Sequence, residues 1–178
     1  MKKPTLDRIP DDRLVAALDV SSTVTGWAVV RRVRGANVVD DFGAIAPPKH
    51  WDADKRIGYM LDHLTDRAIT RRTPPIRVAM ERQSHLRAAG LRNANGLAVL
   101  GRAQGSVWTW LVAMGLQVDS VSEREWTRHQ KKEKRAELLR LTCVEYRKAV
   151  DDDPDLDPGL DIADAIGIGF WRLDWKGE

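Results

Sequence analysis

Short apolar runs separated by turn residues open the chain. Leu14-Val15-Ala16-Ala17-Leu18 reads as a buried strand, Ser21 to Thr25 as a turn, and Trp27-Ala28-Val29-Val30 as a second strand. Gly35 turns the chain again, and Ala36 to Ile45 predict a third strand. Gaps this short join antiparallel neighbours. After Pro47-Pro48 the period lengthens. Ile57, Leu61, Leu64 and Ala68 recur at helical spacing, with Asp52 or Asp54 available as a cap. Pro74-Pro75 ends that segment, and Ile76-Arg77-Val78-Ala79-Met80 alternates as a fourth strand ending at Glu81. Residues 94–114 predict a long apolar helix carrying Gly101 and Gly105, and Gln117 to Val121 a fifth strand. Ser122 and Glu125 have the spacing of a capping box for a short helix. Residues 132–148 predict one basic amphipathic helix. An Asp-rich loop over 151–157 follows, and Asp157-Pro158 can start a last helix running to Leu173.

Three meandering strands followed by alternating helices and strands predict an α/β protein. Its mixed five-stranded sheet has three antiparallel strands, then parallel ones, with helices on both faces. That is the element order of the ribonuclease H-like fold. At 178 residues and 43% hydrophobic, the chain suits one core. We expect a polar tail over 1–12 and a single domain over 13–178. No apolar stretch is long enough for a membrane span, and Met1 to Arg8 lack the apolar run of a secretion signal. The lone Cys143 excludes an internal disulfide, and its place in the pattern Leu139, Cys143, Tyr146 predicts a small buried side chain. These features point to the cytoplasm.

The net charge of +3 says less than its distribution. Residues 82–104 hold Arg82, Arg87, Arg92 and Arg102 and no acid. Residues 124–148 hold nine Lys or Arg against four Glu, and residues 149–164 seven Asp and no base. Each run alone reads as a solvated face. A positive surface suits a phosphate backbone, and a tight acidic run suits either a solvated loop or a metal site.

The acids fall at telling places. Asp19 ends the first strand, Glu81 ends the fourth, and Asp161 and Asp164 share one face of the last helix among Ile162, Ala165, Ile166 and Ile168. Each alone has an ordinary use. Asp19 can cap a turn, Glu81 can pair with Arg77 or Arg82, and the Asp pair can favour a helix N-terminus. Jointly placed in one fold, four half-buried carboxylates call for neutralisation. Hard oxygen donors suit Mg²⁺ or Mn²⁺, and two such ions are the usual apparatus of phosphodiester cleavage.

Four segments resemble the RuvC family of Holliday-junction resolvases. Ala17-Leu18-Asp19-Val20-Ser21-Ser22-Thr23-Val24-Thr25-Gly26-Trp27-Ala28-Val29 is similar to the family's opening strand and turn, and Val78-Ala79-Met80-Glu81-Arg82 to its fourth-strand motif. Leu100-Gly101-Arg102-Ala103-Gln104-Gly105 is similar to its long central helix. Asp161-Ile162-Ala163-Asp164-Ala165-Ile166-Gly167-Ile168-Gly169 is similar to its terminal acidic helix.

The resemblance implies a catalytic, metal-holding tetrad of Asp19, Glu81, Asp161 and Asp164, with two Mg²⁺ per site for which Mn²⁺ substitutes. It implies a homodimer that makes paired nicks in branched DNA, leaving 5′-phosphate and 3′-hydroxyl ends. A basic residue before the penultimate helix is also implied. Lys131, Lys132, Lys134 and Arg135 compete for that place, and we assign it to Lys134. Arg82, His85, Arg87, Arg92, Arg102, Arg128, Lys131, Lys132 and Arg135 are the candidates for holding DNA. A branch-migration motor is compatible with this reading, and nothing in the sequence marks one.

The chain departs from the family at Val20-Ser21, where Pro and Gly are usual, and at Gln83-Ser84-His85-Leu86, where a Phe wedge is common. Such departures resemble a phage or accessory resolvase more than a housekeeping one. Two other readings share the core. One is a flap or ribosomal-RNA nuclease. The other is an actin-like ATPase, whose phosphate loop Asp19-x-x-Ser22-x-x-x-Gly26 resembles; those proteins need two lobes, and this chain has room for one.

Overall fold

The computed structural model describes residues 13–69, 77–82 and 94–174. The expected tail over 1–12, the Gln83–Leu86 segment with His85, and Arg87 and Arg92 lie outside them. Five strands form one sheet: β1 (Val15–Val20), β2 (Thr25–Val33), β3 (Ala36–Ile45), β4 (Arg77–Glu81) and β5 (Gln117–Val121), in the order β3-β2-β1-β4-β5. The β1–β2 and β2–β3 pairs are antiparallel, and β1–β4 and β4–β5 are parallel. The expected mixed sheet is the observed one.

Alternation along the strands divides the interior into two layers. Val15 and Ala17 of β1 and Ala79 of β4 face one layer, and Ala16, Leu18, Val20, Val78 and Met80 the other. The second layer is closed by α1 (Ala53–Leu64) and α2 (Ala94–Ala113), through Ile57, Met60, Leu64, Ala103, Val107 and Leu111. Asp52 starts α1, its carboxylate accepting the Lys55 N–H at 2.9 Å. One wide π turn over Thr65–Ile69 prolongs α1 and buries Ala68 and Ile69.

The first layer is closed by α3 (Glu123–Thr127), α4 (Lys132–Thr142), α5 (Val144–Asp152) and α6 (Asp161–Asp174). The capping box holds α3: the Glu125 carboxylate accepts from the Ser122 N–H at 3.0 Å and from its hydroxyl at 2.8 Å. Ile162, Ile166, Ile168 and Leu173 of α6 are almost wholly buried, and each such side chain contributes about 1.5–3 kcal/mol.

Two helix boundaries differ from expectation. The basic helix over 132–148 is two helices, broken at Cys143, whose backbone is extended (φ −111°, ψ 106°). Thr142 and Val144 flank the break, and β-branching disfavours helix there. Thr142 also donates its hydroxyl back to the Leu138 carbonyl at 2.9 Å. The break lets Tyr146 enter the core, where its hydroxyl donates to Asp157 at 2.9 Å. Cys143 is buried, as its pattern indicates. The last helix begins at Asp161 and not at Asp157-Pro158. Asp157 is buried ahead of it, accepting the N–H groups of Ile162 at 3.0 Å and Ala163 at 2.9 Å. It thus caps α6 from a loop.

A buried ion network ties the far end of α6 to the sheet. Arg172 Nε donates to Asp119 Oδ2 at 2.6 Å, and Arg77 Nη1 lies 3.1 Å from Asp119 Oδ1. Among the described residues no helix is long and apolar enough to cross a membrane.

Candidate active site

The period of two that sends Val15 and Ala17 toward α6 also sends Asp19 there, and the same argument carries Ala79 to Glu81. The two acids end adjacent parallel strands, one step beyond the Leu18–Met80 pair. Asp161 and Asp164 occupy the first turn of α6, directly above. What lets the helix come so close is Gly26, which pairs with Asp19 across β1 and β2. A Cβ at Gly26 would run into the Asp161 backbone carbonyl.

A lysine ammonium joins three of these acids. Lys132 Nζ lies 3.0 Å from Asp161 Oδ1, 3.1 Å from Asp164 Oδ2 and 3.9 Å from Asp19 Oδ2. Arg135 donates to Asp164 Oδ1 from Nη2 at 2.8 Å and Nε at 3.2 Å. Glu81 is held separately, its Oε2 accepting the Trp126 indole N–H at 2.6 Å. Two cations against four carboxylates leave the cluster negative. Burial, then the charges of Glu81 and Asp164, push the Asp19 carboxyl up to about 8, with Lys132 offsetting only part. Burial likewise raises Glu81 and Asp164, against the Trp126 hydrogen bond in one case and Lys132 and Arg135 in the other. Burial also opposes the charge on Lys132, but Asp164, Asp161 and Asp19 outweigh it and hold the ammonium above the ordinary lysine range.

The tetrad expected from sequence is thus brought together. Of the residues that compete for the basic position, Lys132 reaches the carboxylates, and Lys134 is exposed. Residues two apart on a helix point about 200° apart, so one of the pair faces the site and the other solvent. Arg135, three after Lys132, shares its face. Arg82, Arg128 and Lys131 are exposed, Arg82 next to Glu81 and the other two between α3 and α4. Arg102 is not part of this region. It lies on α2, across the sheet, and its guanidinium is paired with Asp54 of α1.

Trp126 escaped sequence reading, whereas Asp157, read as the cap of the last helix, does cap α6 through its side chain. For Trp126 there was a signal: one large aromatic within Ser122–Lys134, a segment otherwise polar or charged, has to be buried.

As donors the four carboxylates fit a hard divalent cation in kind and charge. Among the described residues no three His, Cys, Asp or Glu side chains stand close enough together to hold a metal ion as placed. The Lys132 ammonium stands between Asp161 and Asp164.

No protein-family model matches the chain. It is 28% identical over 167 residues to the crossover junction endodeoxyribonuclease RuvC of Chlorobaculum parvum, covering 90% of this chain and 81% of that protein. Its fold is similar to that of Thermus thermophilus RuvC in complex with a Holliday junction substrate. There the TM-score is 0.67 at 20% identity, over 89% of this chain and 91% of that one. The fowlpox virus resolvase in complex with Holliday junction DNA is similar at TM-score 0.57 and 12% identity, over 90% of this chain and 97% of that one. The chain shares the fold of these solved structures. In sequence it is similar to a RuvC endodeoxyribonuclease.

Proposed function

We propose that this protein is a structure-selective endodeoxyribonuclease that resolves four-way DNA junctions by paired, metal-dependent nicks. The observation that carries the reading is the cluster of Asp19, Glu81, Asp161 and Asp164, in a chain similar to a crossover junction endodeoxyribonuclease. These four side chains would hold Mg²⁺, or Mn²⁺ in its place, as two ions. Such ions supply Lewis-acid activation of water and neutralise charge at the phosphate, leaving 5′-phosphate and 3′-hydroxyl ends. Lys132 is half-exposed and extends to the same acids, so its ammonium can pass to a phosphate oxygen entering the cluster. Arg135 fixes Asp164 through two hydrogen bonds. Arg82, Arg128 and Lys131, all exposed, offer contacts to backbone phosphates, which position DNA without reading its sequence.

Two equivalent nicks require two equivalent sites, which a C2 homodimer supplies. The outer side of α2 suits that interface. Val112 and Met114 are exposed at its end, and Cβ atoms at Gly101 and Gly105 would meet open space. A groove lined by Met80, Leu97, Leu100 and Trp108 runs beside it.

The test is cleavage of labelled four-way junctions, flaps, duplex and RNA with Mg²⁺ or Mn²⁺. Symmetric paired nicks confined to junctions are expected, from a species of twice the 20.1 kDa chain mass by light scattering. Cutting of flaps or RNA with junctions left intact would replace this substrate. A monomer that still makes symmetric nicks would remove the dimer and leave the nuclease.

A further inference from the structure

Trp126 touches both halves of the carboxylate cluster. Its indole N–H donates to Glu81 Oε2 at 2.6 Å, on the β4 side. Its ring face carries the Arg135 guanidinium, with Cζ 4.6 Å from the ring centroid. Arg135 in turn donates twice to Asp164, on the α6 side. The six-membered part of the ring rests on α6 itself at Gly167, where a Cβ would lie 2.9 Å from Trp126 Cζ3. Helix α6 therefore presents bare backbone where the ring needs room.

We propose that Trp126 is a positioning residue for the cation site, setting the separation and orientation of Glu81 relative to Asp164. This rests on the metal-dependent reading above. A buried indole N–H needs only some acceptor, and a backbone carbonyl would serve. Here the acceptor is one of the four carboxylates. With Oε2 engaged, one rotation of the carboxylate is favoured. Outer partners of this kind orient ligands and tune their affinity for metal. Trp126 also couples the cluster's two ends. A shift of α6 is felt through Gly167 at the ring, and so at Glu81.

Trp126→Phe keeps most of the ring's seat and removes the N–H. Junction affinity should be unchanged. The single-turnover cleavage rate and the affinity for Mn²⁺, read by electron paramagnetic resonance on protein without DNA, should each fall by about 10-fold. A second measurement does not depend on that variant folding. In ¹⁵N-labelled wild type the Trp126 indole resonance should lie far downfield. It should move upfield in Glu81→Gln, and shift again when Mg²⁺ is titrated into wild type. Gly167→Ala, which crowds the ring, should move the same resonance. If wild type cuts junctions and Trp126→Phe binds Mn²⁺ and cuts equally well, the inference fails and the nuclease stands. An indole signal indifferent to Glu81→Gln and to Mg²⁺ also overturns it. If wild type cuts nothing while the Mn²⁺ and indole responses appear as described, the nuclease reading fails and the positioning role stands.

Discussion

Helix α6 carries buried charge at both ends, and the two ends are built on opposite principles. Near its C-terminus Arg172 meets one carboxylate, Asp119, which Arg77 also contacts. Every group there has an opposite charge within bonding distance. Near its N-terminus Asp161 and Asp164 face Asp19 and Glu81, with Lys132 and Arg135 as the cations. That end keeps an excess of negative charge and holds Asp19 up to about 8, burial being the first cause. A network in which every charge is directly paired serves as a structural tie. A cluster of like charges costs stability and marks a place where something else is to be bound.

The comparison breaks most sharply on the acids. Asp19→Asn, Glu81→Gln, Asp161→Asn and Asp164→Asn should each lower junction cleavage on the order of 10³-fold or more while junction affinity holds. Any one that cuts like wild type leaves the tetrad. At the C-terminal end the loss should be of stability. Arg172→Met should cost about 1.5–3 kcal/mol in urea denaturation, because it takes one of its two guanidinium partners from the buried Asp119 carboxylate. A cost within experimental error would show the network to be idle.

Lys132→Ala should lower turnover roughly 10²-fold with little change in affinity, as expected of a group that meets developing charge. Equal losses from Lys132→Ala and Lys134→Ala would return the helix face to question. A smaller effect follows from pH. The Asp19 carboxyl is raised above the roughly 3.9 of an unfolded chain, so its share of stability is complete below that value and is lost as pH rises toward 8. Asn does not titrate, so metal-free Asp19→Asn should gain on wild type from about pH 4 to pH 8 and hold the difference above it. Thermal melts at several pH values measure this, and Mg²⁺ should close the gap. Smallest of all, Arg128→Ala and Lys134→Ala should each reduce the salt dependence of junction binding by about one unit, with cleavage of bound DNA unchanged.

What was legible in the sequence was what local periodicity controls. The bounds of β3 and β5 follow from alternation and turns, and Asp19 and Glu81 could be placed because strands end where apolar runs end. What was not legible depended on angle and on distant partners. Lys132 and Lys134 are indistinguishable until the start of α4 fixes which one faces inward. The break at Cys143 arises from where Tyr146 must go, toward Asp157. Arg102 belonged to a basic run in the sequence, yet its partner is Asp54, on an element read separately. Trp126 has meaning only through Glu81, Arg135 and Gly167, which no spacing connects.

The close approach at Gly26 has a consequence for biosynthesis. Asp19 and Glu81 emerge from the ribosome early, on strands that can pair at once. Asp161 and Asp164 come much later in the chain, and only with them can α6 settle over Gly26. A nascent chain stopped at Leu160 holds half of the acids and none of the helix that gathers them. Contacts of such long sequence separation form last. On the proposed reading, the ability to cut DNA is therefore withheld until α6 has emerged and docked, and an interrupted product of synthesis carries no hazard to the genome beside it.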